Sequence, residues 1–106
     1  MMRTLGLKAY SSNEMYATKA LPLIQDRVIQ FIEMYALPGT FAAQKETWAN
    51  LPLPFVIHAP HFKEGFNLSL AEKASNNLVL LEDTIVFARH LKAQAVILHP
   101  GVNGTG

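Results

Sequence analysis

Hydrophobic and polar positions along the chain form two alternating kinds of segment, short apolar runs and longer stretches with helical spacing. The apolar runs cover residues 4–10, 28–36, 55–58 and 94–99. The stretches between them predict three helices, over 11–27, over 40–51 and from about 69 to 92. Strands that are apolar on both faces and alternate with helices are typical of a parallel sheet with helical crossovers. The pattern therefore predicts an α/β fold in the order βαβαβαβ.

Short polar residues indicate where the helices begin. Residues 11–13 (Ser-Ser-Asn) offer N-caps for the first helix, and Thr40 offers one for the second, because their side-chain oxygens accept hydrogen bonds from free backbone N–H groups. Ser69 and Glu72 have the S-x-x-E spacing of a capping box, which predicts the start of the third helix.

The third helix has the clearest periodicity in the chain. Its apolar residues recur at spacings of four and three, and they are Ala74, Leu78, Leu81, Ile85 and Ala88. Such residues lie on one face of a helix, so we expect them to form the stripe that packs on the core.

Composition narrows the class of protein. The 106 residues are 50% hydrophobic, which is enough for one domain (1–106) with a core, and no apolar run approaches the ~18 residues of a membrane span. The net charge is +1 with lysines and arginines scattered among acids, so the sequence lacks the basic stripe of a duplex-binding protein. The absence of cysteine excludes disulfides and thiolate metal sites, and it fits the cytoplasm, which is the expected location.

The chain ends soon after the fourth strand. Residues 102–106 have the composition of a loop, and no helix follows. We therefore expect the chain to be truncated after strand four. Four parallel strands leave two open edges, so we also expect self-association or a need for a partner that completes the sheet.

Two histidines stand at equivalent places in the predicted sheet. His58 ends strand three and His99 ends strand four, and each precedes a turn that contains proline. Active sites of parallel α/β folds assemble at this edge, and neighbouring strands lie ~4.8 Å apart. A single histidine at a strand end is more often structural, but two in equivalent positions favour binding of one metal ion or of two bridged ions. We predict His58 and His99 as metal ligands, bound to zinc or to another divalent ion such as manganese or magnesium.

Three further residues are candidates for contacts with a substrate. Glu33 near the end of strand two points into the predicted mouth of the sheet, or else is solvated or paired with a lysine. His61 lies in the loop after strand three and is a further candidate, although a loop histidine is often simply exposed. Asn67 precedes the third helix and either contacts substrate or shapes the loop. Phosphate loops, G-x-G-x-x-G, G-x-S-x-G and H-E-x-x-H motifs are absent from the sequence.

Three segments follow one another along the chain, 58–62 (HAPHF), 67–68 (NL) and 96–101 (VILHPG), and the long helix lies between the last two. In this order they resemble the xylose-isomerase-like barrels. Within that superfamily they are most similar to the endonuclease IV family (AP endonuclease family 2). The resemblance covers most of the chain from about Phe31. It departs from the family at Lys92, where a glycine is usual, and in a slightly long loop between His58 and Asn67.

The resemblance implies the N-terminal half of a TIM barrel with a zinc cluster at its mouth, which cleaves the phosphodiester beside an abasic nucleotide in DNA. It implies that His58 and His99 are zinc ligands, and that the remaining ligands belong to the second half of the barrel. A sugar isomerase or epimerase of the same superfamily is the alternative, and weak basicity favours it. In such an enzyme His58 could bind substrate rather than metal. A third possibility is an inactive half-barrel that assembles with a partner.

Overall fold

The computed structural model describes residues 4–60 and 65–99. The elements in chain order are β1 (Gly6–Tyr10), α1 (Glu14–Gln25), β2 (Phe31–Tyr35), α2 (Phe41–Ala49), β3 (Phe55–His58), a 3-10 turn (Ala71–Lys73), α3 (Ala74–His90) and β4 (Ala95–Ile97). The predicted α/β class and the βαβαβαβ order are confirmed.

The four strands form one parallel sheet in the order β1-β2-β3-β4. Sequential order places each helix as a crossover between neighbouring strands. One row across the sheet runs from Ala9 through Met34 and Ile57 to Val96. The next row joins Tyr10, Tyr35, His58 and Ile97. Successive residues of a strand point to opposite faces, so the two rows lie on opposite sides of the sheet.

The core lies between the sheet and its helices. The buried residues on this face of the sheet are Ala9, Ile32, Met34, Phe55 and Ile57, and they form one cluster with Ala17, Ala20, Trp48 and Phe87 from the three helices. Trp48 is fully buried and packs in this core. The row with Tyr10, Tyr35 and His58 therefore lies on the face of the sheet that the helices do not cover.

The second strand begins later than the sequence predicts. The three residues 28–30 are not in the strand, because α1 ends in a reversal of the chain at Arg27. Arg27 has φ 58°, its N–H bonds to Ile24 O at 3.0 Å, and the Val28 N–H bonds to Leu23 O at 2.8 Å. These two bonds form a Schellman motif, which satisfies the last carbonyl groups of the helix.

The predicted helix starts are confirmed for α1 and α2, whereas the predicted side-chain capping bonds are wrong. The residues at the N-cap positions of α1 and α2, Asn13 and Thr40, make no side-chain capping bond. The 3-10 turn precedes α3, and Ser69 Oγ instead donates to Asn67 Oδ1 at 2.6 Å. Ser11 is wholly buried and lies in a closed set of hydrogen bonds outside the helix. Its Oγ accepts from the Leu37 N–H at 2.8 Å and lies 2.6 Å from Thr40 Oγ1.

The stripe predicted to bury α3 lies largely on the wrong side of the helix. The buried residues of α3 are Asn77, Leu80, Thr84 and Phe87. Leu78 is 57% exposed and Ile85 39% exposed. The packing partner decides this rotation, because Phe41 of α2 meets Phe87 edge-on with ring centroids 5.0 Å apart. The predicted stripe is on the flank of α3 that faces away from α2.

Within the described ranges, no helix combines the length and the apolar character needed to cross a membrane.

Candidate metal centre

The ends of β3 and β4 bring the two predicted histidines together. His58 is the last residue of β3 and pairs with Ile97, and His99 follows Ile97 by two residues. Residues two apart in extended chain point to the same side, so both imidazoles lie on the face without helices. The His58 Nε2 and His99 Nε2 atoms are 2.9 Å apart. Two ring nitrogens from separate strands thus converge on one point at the carboxyl edge of the sheet.

His58 is held in one tautomer by the backbone. Its side chain is buried, with 7% of the residue exposed, and its Nδ1 lies 2.7 Å from Ala59 O. A carbonyl oxygen only accepts hydrogen bonds, so Nδ1 carries the proton and Nε2 carries a lone pair. The Ala59 N–H in turn donates to Ile97 O at 2.9 Å. Metal-binding histidines are commonly oriented by such an Nδ1–H bond to a backbone carbonyl.

The spacing of the two nitrogens is that of a hydrogen bond. Without a metal, the His99 Nε2–H donates to the lone pair of His58 Nε2. Two nitrogens bound at ~2.1 Å to one tetrahedral ion lie ~3.4 Å apart. His99 is exposed and lies beyond the end of β4, so a widening of ~0.5 Å requires movement of the His99 ring and not of the buried His58.

Burial favours the neutral form of His58. Loss of hydration lowers the pKa of His58 below its usual 6.5, and the nearby His99 lowers it further. The hydrogen bond to Ala59 O and the carboxylate of Glu33 act in the opposite direction, and the net shift is downward. The neutral imidazole is the form that binds metal ions, so the environment prepares His58 for that role.

An aromatic row leads across the sheet to the histidine pair. The ring of Tyr35 stacks on His58 with centroids 4.7 Å apart and planes at 18°. Tyr10 packs on the other side of Tyr35 at 5.4 Å, and His99 lies 4.8 Å from His58. Four rings from four successive strand ends therefore form a continuous row.

Glu33 lies on the same face as Tyr35, two residues nearer the amino end of β2. It pairs with Lys8 in the sheet, and its Oε2 is 3.7 Å from Lys8 Nζ. The alternative that Glu33 is the partner of a lysine is confirmed. Its contact with a substrate stays a prediction, as does its contribution to a metal site.

Asn67 is built into the loop before α3. Its Oδ1 accepts from the Ser69 N–H at 3.1 Å and from Ser69 Oγ at 2.6 Å. Its backbone is bound by the side chain of Asn77, at 2.8 Å for each of two bonds. These contacts show the loop-shaping role, and a contact with substrate stays a prediction. His61 lies outside the described residues, and so do Pro100 and Gly101 of the His-Pro-Gly segment.

Sequence reasoning missed two residues of this region, Tyr35 and Asn77. The place of Tyr35 was partly predictable, because Tyr35 ends β2 as His58 ends β3. The two residues are neighbours in the sheet if the two strands end at the same level. Asn77 had no such signal, because its partner is the backbone of a loop ten residues away. Among residues 4–60 and 65–99, no group of three or more His, Cys, Asp or Glu side chains is placed to hold a metal ion.

The chain matches no protein-family model, and searches of curated proteins and of solved structures give no significant match. The resemblance to the xylose-isomerase-like barrels therefore rests on the residues that carry it.

Proposed function

We propose that this chain supplies part of a divalent-metal site, with His58 and His99 as two of its ligands, in the N-terminal half of an α/β barrel. The observation that carries the proposal is the approach of the two Nε2 atoms to 2.9 Å at the carboxyl edge of the sheet. Parallel α/β enzymes assemble their active sites at this edge. A barrel is the natural continuation of a sheet in which each strand lies beside the next in sequence.

The two imidazoles of His58 and His99 are suitable ligands for zinc. Imidazole nitrogen is a common zinc ligand, and the Nδ1–Ala59 bond leaves Nε2 of His58 directed at the site. A catalytic zinc usually takes three protein ligands, whereas the described part of the chain brings two together. A further ligand would come from His61, which lies outside the described residues, or from another part of the barrel.

The reaction we propose is hydrolysis of the phosphodiester beside an abasic site in DNA, as in the endonuclease IV family. The ordered segments at 58–62, 67–68 and 96–101 support it. A bound divalent ion would act as a Lewis acid and neutralise charge that develops on the phosphoryl oxygens. In this chain His58 and His99 would hold the ion, and the loop built on Asn67 would border the substrate side.

A sugar isomerase or epimerase of the same superfamily is the second candidate. The Lys8–Glu33 ion pair favours it, because it places an acid and a base on the same face as the histidines. A reaction that moves a proton within a hydroxy-carbonyl sugar uses groups of this kind. The net charge of +1 also fits a small neutral substrate better than a DNA duplex.

Metal binding tests the shared part of both candidates. Titration with Co²⁺, followed by visible absorption and by calorimetry, is expected to show one ion per chain. The variants H58A and H99A are expected to weaken binding at least ~10-fold, because each removes a ligand. The matched control is H90A, because His90 lies on α3 and pairs with Glu46 at 3.2 Å, away from the strand ends. Equal affinity in H58A and the original chain would refute the site.

A second measurement separates the two reactions. The metal-loaded chain is mixed with a duplex that carries a tetrahydrofuran abasic analogue, with the same duplex undamaged, and with xylose. Preference for the abasic duplex supports the nuclease, whereas binding of xylose with no preference between duplexes supports the isomerase. We expect little turnover from this chain alone, because its described residues bring together two ligands. Sustained metal-dependent cleavage would contradict that expectation.

A further inference from the structure

We infer that Tyr35 is a positioning residue that fixes the plane of the His58 ring for metal binding. The inference rests on the proposed metal site and adds a residue to it that contacts no metal itself. It follows from the place of Tyr35 in the sheet and from the geometry of its ring.

The register sets Tyr35 directly beside His58. The two residues are partners in the β2–β3 pairing, at the carboxyl ends of both strands. Their rings lie nearly parallel, at 18°, with centroids 4.7 Å apart. Offset stacking at this separation is a favourable arrangement of two π systems. One face of the imidazole therefore packs against the phenol ring.

The backbone hydrogen bond of His58 leaves one motion of its ring open. The Nδ1–Ala59 O bond fixes which ring edge faces the backbone, but the ring can still tilt about the line of that bond. Tilting moves Nε2, because this atom lies off the line of the bond. Tyr35 blocks the tilt on one side. His99 meets the Nε2 edge of the His58 ring, with centroids 4.8 Å apart and planes at 35°, and it is the ring that has to move when an ion enters.

Tyr35 is itself held firmly enough to act as a support. It is 6% exposed, and Tyr10 packs against it at 5.4 Å. Its carbonyl accepts from the Ser11 N–H at 2.9 Å, next to the hydrogen bonds between Ser11 and the loop that leads to α2. A support of this kind lowers the entropy that His58 loses on binding an ion, because the ring is already confined.

Substitutions at Tyr35 test the inference when metal affinity and fold stability are read separately. Y35F keeps the ring, and we expect Co²⁺ affinity within about threefold of the original chain. Y35L keeps an apolar side chain without a ring, and we expect affinity to fall ~10-fold with a shifted Co²⁺ absorption band. Y16L is the matched control, because Tyr16 is an exposed tyrosine on α1 and lies outside the row of rings. Its Co²⁺ affinity is expected to stay within about threefold of the original.

Circular dichroism at the titration temperature establishes that each variant is folded. If Y35L is unfolded, Y35M takes its place, because methionine fills irregular apolar space. If the folded variant Y35L or Y35M binds Co²⁺ with unchanged affinity and unchanged absorption, the inference about Tyr35 is overturned. The metal site itself still stands in that case, provided that H58A loses Co²⁺ binding. An equal loss in Y35F and Y35L would also overturn it, because the ring would then not be the cause. Failure of the original chain to bind Co²⁺ would overturn the proposed function itself.

Discussion

The side-chain amide of Asn77 binds the backbone of Asn67 through two hydrogen bonds. Asn77 Oδ1 accepts from the Asn67 N–H and Asn77 Nδ2 donates to Asn67 O, each at 2.8 Å. The side-chain amide of Asn77 thus makes the two hydrogen bonds that the backbone of a neighbouring strand would make with Asn67. Asn77 is buried on α3, so the loop that follows β3 is fastened to the helix at a point where water does not compete. This contact fixes the backbone at Asn67 against α3.

We predict that N77L destabilises the fold by about 1–3 kcal/mol, because it leaves the N–H and the carbonyl of Asn67 buried without these partners. Urea unfolding measures the change. The control is N76A, which removes one exposed bond from Asn76 Nδ2 to Gly65 O and should cost well under about 1 kcal/mol. Equal costs for the two variants would contradict the role given to Asn77.

Lys92 adopts the left-handed conformation that ends α3. Its φ is 53°, its N–H bonds to Arg89 O at 3.2 Å, and the Ala93 N–H bonds to Ala88 O at 2.8 Å. The helix therefore ends in a Schellman motif, at the position where the resembling family has glycine. We predict that K92G raises the free energy of unfolding by about 0.5–1 kcal/mol, because glycine takes this conformation without a steric penalty.

K92A separates the backbone effect from the loss of charge, since alanine removes the ammonium group but keeps Cβ. Thermal unfolding of the two variants side by side is the measurement. The gain should appear in K92G and be absent in K92A. A gain of the same size in both would attribute it to charge.

Asp83 is half-buried on α3, and its Oδ2 atom is buried with no hydrogen-bond partner in the described part of the chain. Loss of hydration raises the pKa of Asp83 above its usual 3.8. The folded state thus holds this proton more tightly than the unfolded state, so stability falls as pH rises from the unfolded pKa through the folded one. We predict that D83N stabilises the protein by about 1 kcal/mol at pH 7.

The gain in D83N should shrink as pH falls and vanish below the unfolded pKa, where Asp83 is neutral in both states. E82Q is the matched control, because it makes the same change of charge at the exposed neighbour Glu82. Urea unfolding at a series of pH values gives both curves. A gain in D83N that is independent of pH would show that burial of the charge is not its source.

Much of the fold follows from local pattern. The four strands and three helices were predictable because each is a run with one clear period, and sequential order follows from the short connections. The start of β2 was predicted three residues too early, because the reversal at Arg27 depends on a backbone conformation that the residue type does not indicate. The stripe on α3 was assigned to the core because periodicity identifies an apolar face but not the element that covers it.

The histidine pair was predictable for a different reason. His58 and His99 each end a strand, and neighbouring parallel strands bring such ends together without any further information. The capping bonds were not predictable, because the hydroxyl groups of Ser11 and Ser69 have other partners. Ser69 bonds to Asn67 within its own loop, whereas Ser11 bonds to Leu37 and Thr40 of a loop more than twenty residues away. The partners of Ser11 are decided by tertiary structure, and the same is true of the contact between Asn77 and Asn67.

The position of β4 at the margin of the sheet has a consequence for dynamics. β4 is three residues long and stands last in the strand order, next to β3. Short marginal strands open locally at lower free energy than the middle of a sheet. His58 lies on the inner strand and His99 just past the outer one, so an ion held by both would have to be released before β4 could detach. Binding of the ion would then slow amide hydrogen exchange in residues 95–98 more than in β1. The metal site would thus stabilise the pairing of the short strand β4 with β3.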